Sequence, residues 1–196
     1  MFPLHSLGED DSCEWTDGPF VLIATIKWDQ DSGPPEDRDC GFWPSMDPKA
    51  DGFIGHPRKG ETPLHYKRRF AAAKGWATHV RKAWEDNDWF YCGISVVVFY
   101  EGVPITEEYD HALWGIECNY PQRSSRYHPN QYLNEVAREL SGEAVCDIEN
   151  KLVLAWRDGR PMIDEVREDM DLEWVKAINQ LACDICHKQQ ELKLAA

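Results

Sequence analysis

Apolar residues fall along this chain in two rhythms, and the switches between them outline a fold. Residues 19–28 (PFVLIATIKW) are β-branched and apolar between turn formers, which predicts a strand that opens the fold. From 66 to 86, Phe70, Ala73, Ala77, Val80 and Trp84 recur at steps of three or four, the spacing of one helical face. Residues 92–100 then run almost continuously apolar, which predicts a largely buried strand. Glu101 and Gly102 follow as a hairpin turn into a short outgoing strand, 103–105, that Pro104 confines to a sheet edge.

Over 112–118, Leu113, Gly115 and Glu117 alternate with Trp114, Ile116 and Cys118, predicting a further strand. A helix capped by Asn130 carries Leu133, Val136, Ala137, Leu140, Ala144 and Val145 on one stripe and continues toward Trp156. The run Arg157-Asp158-Gly159-Arg160-Pro161 breaks it. A last helix begins at Asp164 or Asp171 and repeats Leu172, Val175, Ile178, Leu181, Ala182 and Ile185 as far as Leu192. The pattern predicts an α+β domain: an antiparallel sheet of about four strands packed by helices, with an irregular acidic N-terminal region and a C-terminal helix. Residues 1–196 are expected to form a single domain, with 162–194 as a helical extension.

Between 29 and 63 neither rhythm holds. The segment is rich in Asp, Gly and Pro (Gly33-Pro34-Pro35, Asp47-Pro48, Asp51-Gly52, His56-Pro57), which predicts a long irregular connection. Connections of that length inside a domain are usually functional or disordered, so it is a candidate contact surface, with Phe42, Trp43 and Phe53 predicting that part of it packs down.

Composition changes this picture in three ways. Nine Trp and an aromatic content of 12% supply large burial per residue and exclude wholesale disorder. No apolar run approaches the length of a membrane span and the first residues do not resemble a signal peptide, so no membrane partner is expected. Seven Cys, an odd number without framework spacing, fit a reducing cytoplasm. The net charge of −14 is unevenly spread: residues 1–55 carry −9, residues 56–82 carry +7 and residues 83–196 carry −12. Such a field repels nucleic acid at long range and speeds encounter with basic protein surfaces.

Candidate chemistry is sparse. Cys183-Asp184-Ile185-Cys186-His187 matches the haem-attachment pattern and offers three soft ligands to zinc. Thiols three apart share a helix face by geometry alone, and no second ligand pair stands at zinc-ribbon spacing. Asp29-Gln30-Asp31-Ser32-Gly33 lacks the closing Glu of a calcium loop, since Cys40 and Gly41 occupy that region. His65, His79, His111 and His128 are scattered, and Cys92 or Cys118 beside one of them would be needed for a thiol nucleophile. No cofactor is expected. The densest cluster is His65-Tyr66-Lys67-Arg68-Arg69-Phe70 with Lys74, Trp76, Arg81 and Lys82. Cations interleaved with aromatics in this way suit phosphate contacts and base stacking.

Three blocks, Tyr91-Cys92-Gly93-Ile94-Ser95-Val96, Leu113-Trp114-Gly115-Ile116-Glu117 and Tyr132-Leu133-Asn134-Glu135-Val136-Ala137-Arg138-Glu139-Leu140, resemble segments of acidic proteins of unknown function encoded by tailed bacteriophages. The resemblance spans residues 66–148; the insertion 121–128 and the long C-terminal helix depart from it. It implies a phage protein acting in the host cytoplasm, and by analogy an accessory protein that modifies or inhibits host machinery. The leading expectation is a non-enzymatic protein, of anti-CRISPR or other anti-defence type, that binds a bacterial host or defence protein with a basic surface. Its contacts are expected from Glu9, Asp10, Asp11, Asp29, Asp31, Asp37 and Asp39, with Trp43 as an aromatic anchor. The alternative is a nucleic-acid-binding accessory protein using Lys67, Arg68, Arg69, Lys74 and Trp76. A further alternative is an enzyme or zinc site near Cys183, Cys186 and His187.

Overall fold

The computed structural model describes residues 1–4, 7–35, 53–122, 128–158 and 172–194. Its elements run β1 (Ser12–Asp17), β2 (Phe20–Trp28), α1 (Pro63–Glu85), β3 (Phe90–Tyr100), β4 (Val103–Pro104), β5 (Ala112–Cys118), α2 (Gln131–Asp158) and α3 (Leu172–Leu194). All pairings are antiparallel, and the α+β class with a C-terminal helix agrees with the sequence pattern.

Strand β3 is the centre of the sheet. Along one edge it pairs with β2, from Phe20 opposite Tyr100 to Trp28 opposite Cys92. Along the other edge it pairs first with β5 and then, at Phe99 and Tyr100, with β4. β4 and β5 thus follow one another along a single edge. The β3–β4 turn places Glu101 at φ 49° and Gly102 at φ 82°, the left-handed pair that matches the twist of a tight hairpin. Pro104 sits in the two-residue edge strand, where a missing N–H costs no ladder bond.

The alternation of β3 assigns its residues to two cores. Phe90, Cys92, Ile94, Val96, Val98 and Tyr100 join Phe20, Leu22, Ala24 and Ile26 of β2 under α2 and α3. From α2 come Leu133, Val136, Ala137, Leu140, Ala144, Ile148 and Leu152; from α3 come Trp174, Ile178 and Ala182. The Trp174 indole N–H donates to the Tyr100 carbonyl at 3.0 Å, fixing α3 to the end of the central strand. Tyr91 faces the other way, into a smaller cluster with Trp89, Val80 and Ala83 and with the half-buried Trp76, Trp84 and Tyr120. There the Trp89 indole donates to the Val80 carbonyl at 2.9 Å, which holds the C-terminal half of α1.

Several elements depart from expectation. Strand β1 precedes the predicted first strand, because only Cys13 and Trp15 of its six residues are turned toward the core. Helix α1 starts at Pro63 rather than at Tyr66. Thr62 caps it by accepting the His65 N–H, and Pro63 occupies the first turn, where its missing donor is harmless. Its buried face is Ala73, Ala77, Val80 and Ala83, whereas Phe70 is exposed and Trp84 half-buried. The alternation of β5 is interrupted by a bulge: Ile116 faces Cys92 and Leu113 faces Ile94, so Trp114 and Gly115 together stand opposite Gly93. Gly115 adopts φ 77°, the left-handed conformation that such a bulge asks of glycine.

Asn130 does not act as the expected cap. Its side-chain oxygen accepts the Asn119 N–H at 2.8 Å, and its side-chain amide donates to the Asn119 side-chain oxygen at 2.8 Å and to the Leu4 carbonyl at 3.3 Å. Asn119 in turn takes the Leu7 N–H at 3.1 Å and donates to the Leu7 carbonyl, while Asn134 does the same for Phe2. Three amides therefore pin the N-terminal segment, with Phe2 and Leu7 buried, across the junction of β5 and α2. Asn130 is fully buried, so removing its side chain leaves several buried groups unpaired. Asn130→Ala is expected to lower stability by about 1–3 kcal/mol in urea unfolding. A change within error would show that these bonds are replaceable by water.

Candidate protein-binding surface

The β5 bulge presents an exposed aromatic side chain. Trp114 is 44% exposed and lies against Gly93, the one residue of β3 without a side chain to displace it. A Cβ added at Gly93 would stand 2.6 Å from Trp114 Cδ2, so the flat seat exists only because position 93 is glycine. Tyr109, also exposed, tilts toward the indole with ring centres 6.1 Å apart. At the end of β2, Trp28 stacks on Phe90 with centroids 4.8 Å apart and an 11° interplanar angle, leaving its outer face to solvent.

Three open depressions adjoin these rings. One of about 680 Å³ lies between β5 and the start of α2, with Trp114, Glu117, Tyr132 and Glu135 in its lining. A second of about 650 Å³ meets it at Trp114 and Gly115 and extends to Trp28 and the turn 29–32. A third of about 210 Å³ continues from Trp28 to Trp84, Glu85 and Asn87. Among the described residues, Asp29, Asp31, Glu85, Glu117 and Glu135 line this strip, and no Lys or Arg does.

The acidic residues singled out from the sequence take different roles. Glu9 and Asp10 are exposed in the turn before β1. Asp10 forms a 3.0 Å ion pair with Lys27, which also binds Glu108 at 3.0 Å. Those carboxylates, Glu108 first and Asp10 second, push the Lys27 ammonium above its ordinary value. Asp11 accepts the Gly8 N–H at 2.8 Å. Asp29 is buried and shapes its own turn, accepting the N–H groups of Asp31 and Ser32 at 3.2 Å and the Ser32 hydroxyl at 2.7 Å. Asp31 is exposed and lines the strip beside it. Asp37, Asp39 and Trp43 lie outside the described residues.

The cationic helix is partly committed to its own fold. Lys67, Arg68, Lys74 and Lys82 are exposed. Arg69 forks onto Glu61, Nε to Oε1 at 3.1 Å and Nη2 to Oε2 at 2.9 Å, donates to the His56 carbonyl at 3.1 Å and lies over the Tyr66 ring. Arg81 pairs with Glu85, and Trp76 is half-buried against His79 and the smaller core.

The cysteine and histidine candidates do not converge. On α3, Cys186 is buried while His187 is exposed, and the described residues contain no group of three or more His, Cys, Asp or Glu placed to hold a metal ion. A hydrogen bond with Cys118, then burial, raises the Cys92 thiol above its ordinary range, the reverse of the shift that activates a nucleophile. Among the described residues no helix is long and apolar enough to cross a membrane.

Comparison of the chain with protein-family models, curated proteins and solved structures finds no match.

Sequence reasoning passed over Trp114, Tyr132 and Trp28 as surface residues. One signal was available: a glycine inside a strand pattern, at 115 in LWGIE, marks a bulge.

Two outcomes follow from this geometry. Gly93→Ala is expected to displace Trp114, changing the tryptophan emission and lowering stability by roughly 1–3 kcal/mol, the scale of overpacking; an unaltered spectrum and midpoint would contradict the seat. The Arg69 hydrogen bonds hold the Glu61 carboxyl down at about 2 against an ordinary 4.5. A carboxyl depressed by folding contributes stability in full above 4.5, and the contribution is lost as pH falls toward 2. An NMR acid titration should therefore show the surroundings of Arg69 releasing in that window, and Glu61→Gln should abolish the pH dependence. An identical titration in the variant would rule the pair out as its source.

Proposed function

We propose that this is a non-enzymatic bacteriophage accessory protein, of anti-CRISPR or other anti-defence type, that binds and inhibits or redirects a bacterial protein bearing a basic surface. The observation that carries this reading is the strip of exposed Trp28, Trp114 and Tyr132 interleaved with carboxylates and lined by no described Lys or Arg. Binding hot spots favour such rings, and carboxylates around them select a cationic partner. The net charge of −14 adds long-range attraction of the same sign. The phage provenance and the place of action in the host cytoplasm rest on the resemblance of the three sequence blocks.

A second reading is favoured by one observation, the exposure of Lys67, Arg68, Lys74 and Lys82 on α1. It makes the protein a nucleic-acid-binding accessory factor whose affinity falls steeply with salt. The engagement of Arg69 with Glu61 and the packing of Trp76 remove two of its five expected contacts.

Immobilised protein exposed to nuclease-treated bacterial lysate is expected to retain one basic host or defence protein at moderate salt, identified by mass spectrometry. Retention of nothing from that lysate, with RNA or DNA recovered from untreated lysate, would replace the first reading by the second.

A further inference from the structure

Each exposed ring of the strip has a carboxylate on the same stretch of backbone. On α2, Tyr132 and Glu135 are three residues apart and share a helix face. On β5, Trp114 lies over Gly93 and Glu117 stands opposite Tyr91, on the same side of the sheet. At the end of β2, Trp28 is followed by the turn that presents Asp31. The depressions adjoin one another: the first two share Trp114 and Gly115, and the last two share Trp28, Asp29 and Ser32. A row of open depressions suits an elongated occupant rather than a compact small molecule, which takes an enclosed pocket.

A planar ring beside a carboxylate is matched by one side chain above others. The guanidinium of arginine stacks on an aromatic face and donates N–H groups in its own plane to a carboxylate, whereas the lysine ammonium is a strongly hydrated point charge. We propose that an extended, arginine-bearing segment of the partner protein lies along this strip, with guanidinium groups over Trp114 and its neighbouring rings and hydrogen-bonded to Glu135 and Asp31. The proposal rests on the protein-binding reading above and adds to it a location, away from Glu9 and Asp10, and a partner chemistry.

The test uses the full chain and a fluorescently labelled synthetic peptide alternating arginine with serine, with lysine–serine and glutamate–serine peptides as controls, followed by anisotropy. The arginine peptide is expected to bind saturably and several-fold more tightly than the lysine peptide, and the glutamate peptide not at all. Trp114→Ala is expected to weaken it by about tenfold or more, as loss of a desolvated cation–π anchor does. Because Trp114 packs on the sheet, a second variant combining Tyr132→Ala with Glu135→Lys alters only exposed side chains and should weaken binding comparably. Glu9→Gln with Asp10→Asn, outside the strip, should weaken it far less than either strip variant. No saturable binding of the arginine peptide, equal binding in the strip variants, or equal affinity for arginine and lysine peptides would each overturn the proposal. So would concentration-dependent self-association abolished by the same variants, which would assign the strip to a second copy of the chain. Undiminished capture of a host protein by the Tyr132→Ala, Glu135→Lys variant would overturn the location alone and leave the protein-binding reading standing. Peptide binding lost in the variants without any host protein captured would do the opposite.

Discussion

The double-sided burial of β3 is the constraint from which the architecture follows. A strand hydrogen-bonded along both edges and covered on both faces cannot be amphipathic, and all but two of its eleven residues are buried. Its even-numbered side chains meet α2 and α3, while Tyr91, beside Trp89, meets α1. Gly93 is the place where that second face carries no side chain, and Trp114 fills it from the neighbouring strand. One missing Cβ in the most buried strand therefore creates the most exposed indole of the adjoining one.

The strip also depends on the junction between β5 and α2, because its largest depression is walled by both. Ile116 and Cys118 share the apolar core with Leu133 and Val136, and the buried amides of Asn119 and Asn130 add directional bonds between the end of β5 and the start of α2. Satisfied buried amides are directional where apolar contacts are not, and they specify a geometry more than they add stability. The N-terminal segment completes the arrangement by placing Leu4 and Leu7 carbonyls where these amides need acceptors.

What the sequence disclosed follows from how far each signal reaches. β2, β3, β5 and the helical stripe of α2 were legible because period and burial coincide over many residues. β1 was not, since an edge strand with two inward residues among Ser12, Glu14, Thr16 and Asp17 leaves no apolar run. The first turn of α1 escaped because Leu64 and His65 are exposed and carry no stripe, although Thr62-Pro63 is itself a start signal. Asp29 seemed one more surface charge, yet Asp followed three residues later by Ser is the composition of a side-chain-capped turn. The aromatic strip was illegible as a unit. Trp28, Trp114 and Tyr132 come from β2, β5 and α2, and only the tertiary fold makes the depressions they line adjoin one another.

The anchoring of the N-terminal segment has a practical side. Phe2 is held through both its N–H and its carbonyl by Asn134, in the first turn of α2, one residue from Glu135 and two from Tyr132. The Leu4 carbonyl meets the ring of His128, which lines the first depression, so the anchored segment runs along the border of the strip. An affinity handle or fluorescent fusion placed ahead of Met1 would extend from that border, whereas no described residue of α3 lines the strip.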